Sequence, residues 1–235
     1  MSNIKDILSP MGAEVSIIPV MQGDGTMKVN ETELPDSMPI LALRNAVLFP
    51  GTVYPITIGR EKSIRLIQDA EKNNTYIGAV PQLDVTVEDP KKEDLYTYGT
   101  VARIIKTLEM PDGTLTAILQ GFRRFEIEDI VEYDPYMLGR VHYLHDIVPE
   151  ENDNNIRMII ESLKEKATTI LKFSSFAPKE ASMALRSIDS FEFLVNFIAT
   201  TIEVENFFEK VQLLQYTELK TRAMKLLAVL DTQIE

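Results

Sequence analysis

Residues 41–67 read LALRNAVLFPGTVYPITIGREKSIRLI, and this stretch decides the fold. It contains a strand, a Pro-Gly corner, a second strand at Val53–Ile58 and the start of a helix. The second strand is rich in β-branched residues, which favour strands. The helix predicted for Glu61–Lys72 places its apolar residues on one stripe, with Glu61 near the positive end of the helix dipole. The stretch therefore predicts a small sheet interrupted by one helix.

The strand pattern continues as far as Pro149. The turn at Pro111-Asp112-Gly113 combines a fixed φ with a residue that tolerates positive φ, and so predicts a β-hairpin. In the strand after it, Phe125 and Ile127 alternate with Arg124 and Glu126, which predicts one buried and one solvated face. Further strands are predicted at Thr100–Leu108, Leu115–Leu119, Phe122–Ile130 and Tyr136–Leu144. About six short strands predict a curved sheet that closes on itself and so removes its exposed edges.

After Pro149 the apolar period changes from two to about 3.6, which predicts helices. The cluster at residues 151–155, ENDNN, supplies N-cap candidates. Helices are predicted from this cluster to about Lys172, from near Pro178, through Ile202 with an Asp189–Glu192 capping box, and from about Phe207. The last helix spaces its apolar residues as a heptad seam, which hints at self-association. The seam consists of Leu219, Ala223, Leu226 and Leu230.

The domain organisation predicted from these patterns has three parts. Residues 1–37 form an acidic leader rich in Gly and Pro that we expect to be flexible. Residues 38–149 form the β domain, and residues 150–235 form the helical subdomain. The chain ends without a Gly or Pro stop signal, so we expect the last helix to continue beyond Glu235 in a longer protein. A terminal helix that frays naturally is the alternative.

Several motifs in this order resemble one known family. They are the 41–67 stretch, TYGTVARI at 97–104, PDGT at 111–114 and LQGFRRFEI at 119–127, followed by a helical tail. This pattern is similar to the N-terminal domain of the Lon proteases. The resemblance implies an α+β fold, with a small PUA-like closed β-barrel or curved sheet and one helix, followed by an all-α bundle.

The resemblance also implies a function. Lon proteases are ATP-dependent serine proteases in which a substrate-handling region precedes an AAA+ ATPase module and a Ser-Lys peptidase module. This chain would then be a non-catalytic domain that binds unfolded or damaged proteins and helps assembly with other Lon subunits. ATP and Mg²⁺ are expected only in the ATPase module, so no cofactor is expected in these 235 residues.

No catalytic residue is predicted. None of the ten glycines is followed by Lys, so a Walker A loop is absent from the sequence, and there is no G-x-S-x-G elbow. The one S-x-x-K spacing, Ser2 to Lys5, lies in the leader. His142 and His145 would point to opposite faces of a strand, so no metal site is expected.

Charge and composition exclude other partners. The net charge is −12, and each of the three predicted parts carries −4. Nucleic-acid binding and anionic membrane surfaces both require basic residues, so neither is expected. Zero cysteines removes disulfides and thiolate metal sites. With no signal or transit peptide pattern, the cytoplasm is the expected location.

Two candidate substrate-binding surfaces follow if the domain recognises exposed apolar segments. The first is an apolar patch at the Pro-Gly corner and the hairpin tip, formed by Leu48, Phe49, Pro50, Val53, Tyr54 and Met110. The second is the GREKSIR segment, where Arg60, Glu61, Lys62 and Arg65 offer charges at a helix start. Ordinary loop packing and the structural needs of the helix start are the alternatives.

Two other functions remain open at this point. One is a free-standing adaptor or ligand-binding protein with a Lon-type domain and no protease attached. The other is a hydrolase with an unrecognised site, which would need a convergent nucleophile and base.

Overall fold

The computed structural model describes residues 34–150, 154–173 and 179–234. The strands are β1 Ser37–Leu43, β2 Val53–Ile58, β3 Ile77–Pro81, β4 Tyr98–Glu109, β5 Leu115–Glu132 and β6 Leu138–Tyr143. The helices are α1 Glu61–Asn73, α2 Asn154–Phe173, α3 Lys179–Ser187, α4 Phe191–Thr201, α5 Phe207–Gln212 and α6 Leu219–Ile234. Short 3₁₀ helices lie at Lys92–Asp94 and Leu213–Gln215. The predicted leader up to residue 33 and the predicted helix start at Pro178 lie outside the described residues.

The strands form one sheet that closes on itself. Among the described residues the strand order is β2-β5-β4-β3-β1-β6, and β6 also pairs with β5, which closes the ring. The β1–β3 pair is parallel and the other pairs are antiparallel. The predicted α+β fold, with a closed sheet, an early helix and a helical C-terminal part, is confirmed. The prediction missed β3, whose five residues are all buried and therefore show no alternation.

One long strand replaces two predicted ones. The strands predicted at Leu115–Leu119 and Phe122–Ile130 are both part of β5, which continues through Gly121. The first part of β5 pairs with β2, and the part from Phe125 pairs with β6. The continuous strand requires glycine at position 121, because the Cβ of any other residue would lie 2.5 Å from the Phe49 carbonyl oxygen. The glycine thus marks a close backbone approach and not a strand end.

Both predicted turns are confirmed. At the Pro-Gly corner the Thr52 N–H donates to the Phe49 carbonyl at 3.3 Å, and Gly51 has a φ of 76°. Pro followed by a positive-φ Gly is typical of a type II turn. At the hairpin Gly113 has a φ of 84°, and the Met110 N–H donates to the Thr114 carbonyl at 2.9 Å.

The Pro-Gly corner joins the two cores. Leu48 packs in the barrel core, whereas its neighbours Val47 and Phe49 pack in the core of the helical part. The Thr52 side chain donates to the Phe49 carbonyl at 2.7 Å, and the Thr200 hydroxyl of α4 lies 3.3 Å from the Thr52 hydroxyl. The corner therefore fixes the barrel against the helices by packing and by hydrogen bonds.

The helical part follows the predicted pattern with two corrections. The N-cap of α4 is Ser190, whose hydroxyl accepts from the Phe193 N–H at 3.2 Å, so the Asp189–Glu192 capping box is wrong. The predicted last helix is broken between α5 and α6. The heptad residues are all buried within this chain, so the seam packs α6 into the bundle and is not free for self-association.

Arg124 corrects the predicted solvated face of β5. It is 1% exposed, and its guanidinium bonds the Asp146 carboxylate and the Leu214 carbonyl. Arg222 of α6, also buried, donates to the same carboxylate at 2.7 and 3.1 Å. This Arg124–Asp146–Arg222 cluster links the barrel to the last helix.

Candidate functional site

The apolar corner is mostly buried. Leu48 and Phe49 are 1% and 0% exposed, and Pro50 is buried as well. The expectation that these three residues form an exposed patch is wrong, because they fill the junction between the two cores described above. Val53 and Tyr54 are half-buried, and Met110 at the hairpin tip is 44% exposed.

A groove lies between β1 and the edge of β2 that has no partner among the described strands. After Pro39, β1 pairs with β3 alone among these strands, so its other side faces the groove. The volume of the groove is about 270 Å³, and we refer to it as the edge groove. Consecutive residues of both strands line it, so backbone edges and not one side-chain face form its walls. The lining consists of residues 41–46, 54–60 and Ser63. Arg44 and Arg60 are the charged residues of this lining in the described part of the chain.

A second cavity lies beside the edge groove at the start of α1. It has a volume of about 400 Å³, and we refer to it as the charged pocket. Its lining combines aliphatic residues, aromatic rings and charged side chains of both signs. The lining residues are Ile40, Ala42, Gly59, Arg60, Glu61, Lys62, Ser63, Leu66, Glu88, Asp89, Pro90, Tyr133, Tyr136 and Met137. An apolar surface with charged groups around it is suited to polypeptide contacts.

Arg60 lines both cavities. It is the N-cap residue of α1, and its side chain does not cap the helix. Its guanidinium instead donates to the Ala42 carbonyl of β1 at 2.5 Å and to the Gln82 side-chain oxygen at 2.8 Å. Burial lowers the pKa of Arg60, and the nearby Arg44 charge lowers it further. Arginine stays protonated at neutral pH, so Arg60 places a positive charge between the two cavities.

Lys62 closes one side of the charged pocket with ion pairs. Its ammonium lies 3.1 Å from both the Asp89 and the Asp134 carboxylates and donates to the Tyr133 carbonyl at 3.3 Å. Hydrogen bonds to Asp134 and Asp89 raise the pKa of Lys62, and those from Lys91 and Lys62 lower the pKa of Asp89. These groups are exposed, so a ligand can exchange the pairs at little energetic cost.

Tyrosines contribute apolar surface to each cavity. In the edge groove, burial raises the pKa of Tyr54, with a further contribution from the Glu203 charge. In the charged pocket, the Tyr136 hydroxyl donates to the Asp69 carboxylate at 3.2 Å, and burial followed by this contact raises its pKa. Both phenols therefore stay neutral at physiological pH and act as amphipathic contact surfaces.

The ten predicted substrate-binding residues separate into groups. Tyr54, Arg60, Glu61 and Lys62 lie around the two adjacent cavities, although the sequence predicts Tyr54 on a different surface from the other three. Arg65 is exposed on α1 and, like Val53 and Met110, lines neither cavity. A role in substrate binding stays a prediction for all of these residues.

Several residues that line the two cavities or hold their lining residues in place were missed from the sequence. Gln82 is 1% exposed and holds the Arg60 guanidinium while its amide donates to the Asp84 and Val87 carbonyls. The sequence signal that could have indicated Gln82 is its position as a polar residue directly after the fully buried strand β3. Tyr133 and Tyr136 come from the segment between β5 and β6, and no local pattern links them to α1.

The described residues contain no group of three or more His, Cys, Asp or Glu side chains that could hold a metal ion. His142 lies in β6, opposite Glu126 of β5, and His145 follows that strand. In the same described part of the chain, no helix has both the length and the apolar character needed to cross a membrane.

Known proteins resemble most of this chain. The family model described as the ATP-dependent protease La (LON) substrate-binding domain matches residues 37–232. The Lon protease of Flavobacterium johnsoniae is 42% identical over 228 residues, which is 97% of this chain and 28% of that protein. The Lon protease of Cytophaga hutchinsonii is 39% identical over 94% of this chain and 27% of its own length. The chain thus spans about a quarter of these curated relatives.

Solved structures share the fold at low sequence identity. The N-terminal domain of a Lon protease from the Mycobacterium avium complex has a TM-score of 0.64 and 18% identity, over 83% of this chain and 98% of that one. The Lon N-terminal domain protein from Xanthomonas campestris has a TM-score of 0.59 and 21% identity, over 82% of this chain and 97% of that one. These structures show the same fold, and the family-model match over residues 37–232 shows that the chain belongs to the ATP-dependent protease La (LON) substrate-binding domain family.

Proposed function

We propose that this chain binds unfolded polypeptide segments as the substrate-binding region of an ATP-dependent Lon-type protease. The observation that carries the proposal is the pair of adjacent cavities at the start of α1, which share Arg60 and combine apolar surface with exchangeable charged groups. An unfolded segment offers apolar side chains, charges and free backbone groups together. A folded protein buries most of its apolar side chains and pairs most of its backbone groups. The family description supports the same assignment.

Proteolysis itself belongs to the intact protein in this proposal. The curated relatives are named Lon proteases, and the chain corresponds to about a quarter of their length. ATP, Mg²⁺ and the peptidase nucleophile would be held outside the present sequence. Assembly with other Lon subunits and a cytoplasmic location stay predictions. The heptad seam does not support assembly, because its residues are buried within this chain.

A titration with one polypeptide in two states tests the proposal. Reduced, carboxymethylated α-lactalbumin is unfolded, whereas its calcium-bound native form has the same sequence in a folded state. We expect the purified 235-residue chain to bind the unfolded form and not the native form, as measured by fluorescence anisotropy. Equal binding of both forms, or binding of neither by a folded sample, would contradict the proposal.

Variants at the cavities give the matched comparison. Tyr54→Ser combined with Lys62→Glu changes one wall of each cavity, and we expect it to weaken binding several-fold. Met158→Asp, at a 67% exposed position on α2, is the control for adding charge to an exposed surface. Phe49→Asp is unsuitable as a probe because Phe49 is completely buried and the change would unfold the junction.

A further inference from the structure

In the described part of the chain, β2 has a partner strand on one side only, and its register with β5 shows which backbone groups face the other side. β2 pairs with β5 in a regular register from Val53 to Ile58, and the ladder begins where the Gly121 N–H donates to the Thr52 carbonyl at 2.9 Å. Every second residue of an antiparallel strand bonds its partner. Tyr54, Ile56 and Ile58 therefore bond β5, and the backbone groups of Val53, Pro55 and Thr57 face away from it.

The position of Pro55 agrees with this assignment. Proline has no N–H, and within sheets it occurs where the missing donor faces an unpaired edge. Among the described strands β2 has β5 as its one partner. The N–H groups of Val53 and Thr57 and the carbonyl groups of Val53, Pro55 and Thr57 thus point away from β5, and Pro55 and Thr57 line the edge groove.

The opposite wall of the groove is also a strand edge. The Ile40 N–H donates to the Met137 carbonyl at 2.9 Å, so Ile40 and Ala42 face away from β3. In a sheet, the N–H of a neighbouring strand would usually donate to the Ala42 carbonyl. Here the Arg60 guanidinium donates to it instead. A side chain thus occupies the Ala42 carbonyl, and the edge groove lies between β1 and β2 beside this contact.

Charge selects one kind of occupant. The edge groove presents Arg44 and Arg60, and its described lining contains no acidic residue. Arg44 pairs with Glu88 at 2.9 Å, but Glu88 is largely exposed, so an incoming carboxylate can replace it. A segment of extended backbone that carries an acidic side chain satisfies both the strand edge and the two cations.

We infer that this domain takes up its client by β-strand addition, with an extended, acidic segment of the unfolded polypeptide pairing with the free edge of β2 in the edge groove. This mode rests on the proposed function, because it specifies how and where the unfolded substrate binds. Main-chain hydrogen bonds supply affinity that does not depend on the client's sequence, and the arginines add a preference for acidic segments.

A synthetic peptide tests strand addition with the unaltered chain. The probe is a fluorescein-labelled nine-residue peptide that alternates threonine or valine with glutamate. A second peptide has the same side chains but N-methyl groups on its three central residues, and a third has lysine in place of glutamate. We expect the methylated peptide to bind at least about tenfold more weakly because it loses one or two main-chain hydrogen bonds. We expect the lysine peptide to bind more weakly by a similar factor because Arg44 and Arg60 repel its side chains. Equal binding of the methylated and parent peptides would overturn strand addition.

A variant pair locates the edge. Thr57→Pro removes the free N–H without removing a bond to β5, and Thr57→Val lacks the same hydroxyl but keeps the N–H. We expect Thr57→Pro to bind the parent peptide about tenfold more weakly than Thr57→Val, and the Thr57 amide to gain hydrogen-exchange protection in the complex with wild type. Equal affinities of the two variants would place the site elsewhere.

The remaining outcomes separate this inference from the proposed function. If unfolded α-lactalbumin binds the wild type and Thr57→Pro equally, strand addition at β2 is wrong while substrate binding stands. If it binds neither, both are wrong. A concentration-dependent dimer, seen by sedimentation and lost in Thr57→Pro, would show that a second copy of this chain occupies the edge and would also overturn the inference.

Discussion

At the scale of single residues, Gly121 allows the Pro-Gly corner to contact β5, although its position between two predicted strands suggests a turn. It accepts from the Gly51 N–H at 3.0 Å and donates to the Thr52 carbonyl, so the corner lies directly against β5. Its absent side chain keeps β5 continuous and allows the β2 pairing that creates the edge groove. A local turn signal and a close backbone approach look the same in one sequence.

We expect Gly121→Ala to destabilise the fold by about 2 kcal/mol, since the added methyl meets a backbone oxygen that cannot move away. Urea unfolding followed by circular dichroism measures this. Gly59→Ala is the matched control, because the nearest atom to its new Cβ is a Thr114 methyl at 3.7 Å, and its unfolding midpoint should stay close to that of wild type. Similar midpoints for both variants would mean that the corner can shift.

Arg124 shows what could have been predicted at this scale. Neighbouring residues on a strand point to opposite faces, so Arg123 and Arg124 cannot both be on the solvated face of β5. Phe125 and Ile127 pack in the barrel core, so alternation places Arg124 on the other face of β5, as the sequence predicts. That face is buried at Arg124 because the helical part covers it there. Which residues neutralise Arg124 was not predictable, because Asp146 and Arg222 approach from a loop and from α6.

At the scale of elements, α4 shows that a capping pattern defines a helix start only to within a residue. Asp189, Ser190 and Glu192 are all capping residues, and Asp189 followed by Glu192 matches the capping-box spacing. The structure uses Ser190, whose hydroxyl satisfies the Phe193 N–H, while Asp189 is exposed. Glu192 turns toward the Arg124–Asp146–Arg222 cluster, where burial and then the Asp146 charge raise its pKa.

This assignment gives a test in which two adjacent residues should differ. Ser190→Ala removes the cap and should cost about 1 kcal/mol in the free energy of unfolding. Asp189→Ala, at the position chosen from sequence, should change it by less than about 0.5 kcal/mol, as for an ordinary surface site. Thermal unfolding of the two variants in parallel gives both values. The reverse order would restore the predicted capping box.

At the scale of the whole molecule, the barrel and the helices are joined by an apolar contact and an ionic one. Phe49 provides the first, and the Arg124–Asp146–Arg222 cluster provides the second. Burial alone would raise the pKa of Asp146, but the hydrogen bonds and charges of Arg222 and Arg124 outweigh it and lower the pKa. A group with a lowered folded-state pKa stabilises the fold above its unfolded-state pKa, near 4 for Asp, and loses that contribution as the pH falls below it.

We therefore expect Asp146→Asn to destabilise the protein at neutral pH by about 3 kcal/mol or more, because it leaves two buried guanidinium groups without a counter-charge. The difference between wild type and variant should shrink as the pH falls below about 4. Chemical unfolding at pH 7, 4 and 2.5 measures both effects, because the contribution is lost between the unfolded-state pKa and the lower folded-state pKa. Asp231→Asn, which removes the partially exposed pair with Lys166, is the control and should cost less than about 1 kcal/mol. A constant difference between wild type and Asp146→Asn across this pH range would refute the ionic role of Asp146.

The sequence by itself determined the class of fold, the two turns, the early helix and most of the helices, because turn residues and apolar periods act over a few neighbouring positions. It also carried the family resemblance in motifs that the match over residues 37–232 confirms. Only the tertiary structure decided which residues are buried at the Pro-Gly corner, that Tyr54 and Arg60 line one groove, and that β2 pairs with β5 alone among the described strands. These features depend on contacts between residues far apart in the chain, such as Gly121 with the corner and Arg60 with Ala42, and no local pattern encodes such distances.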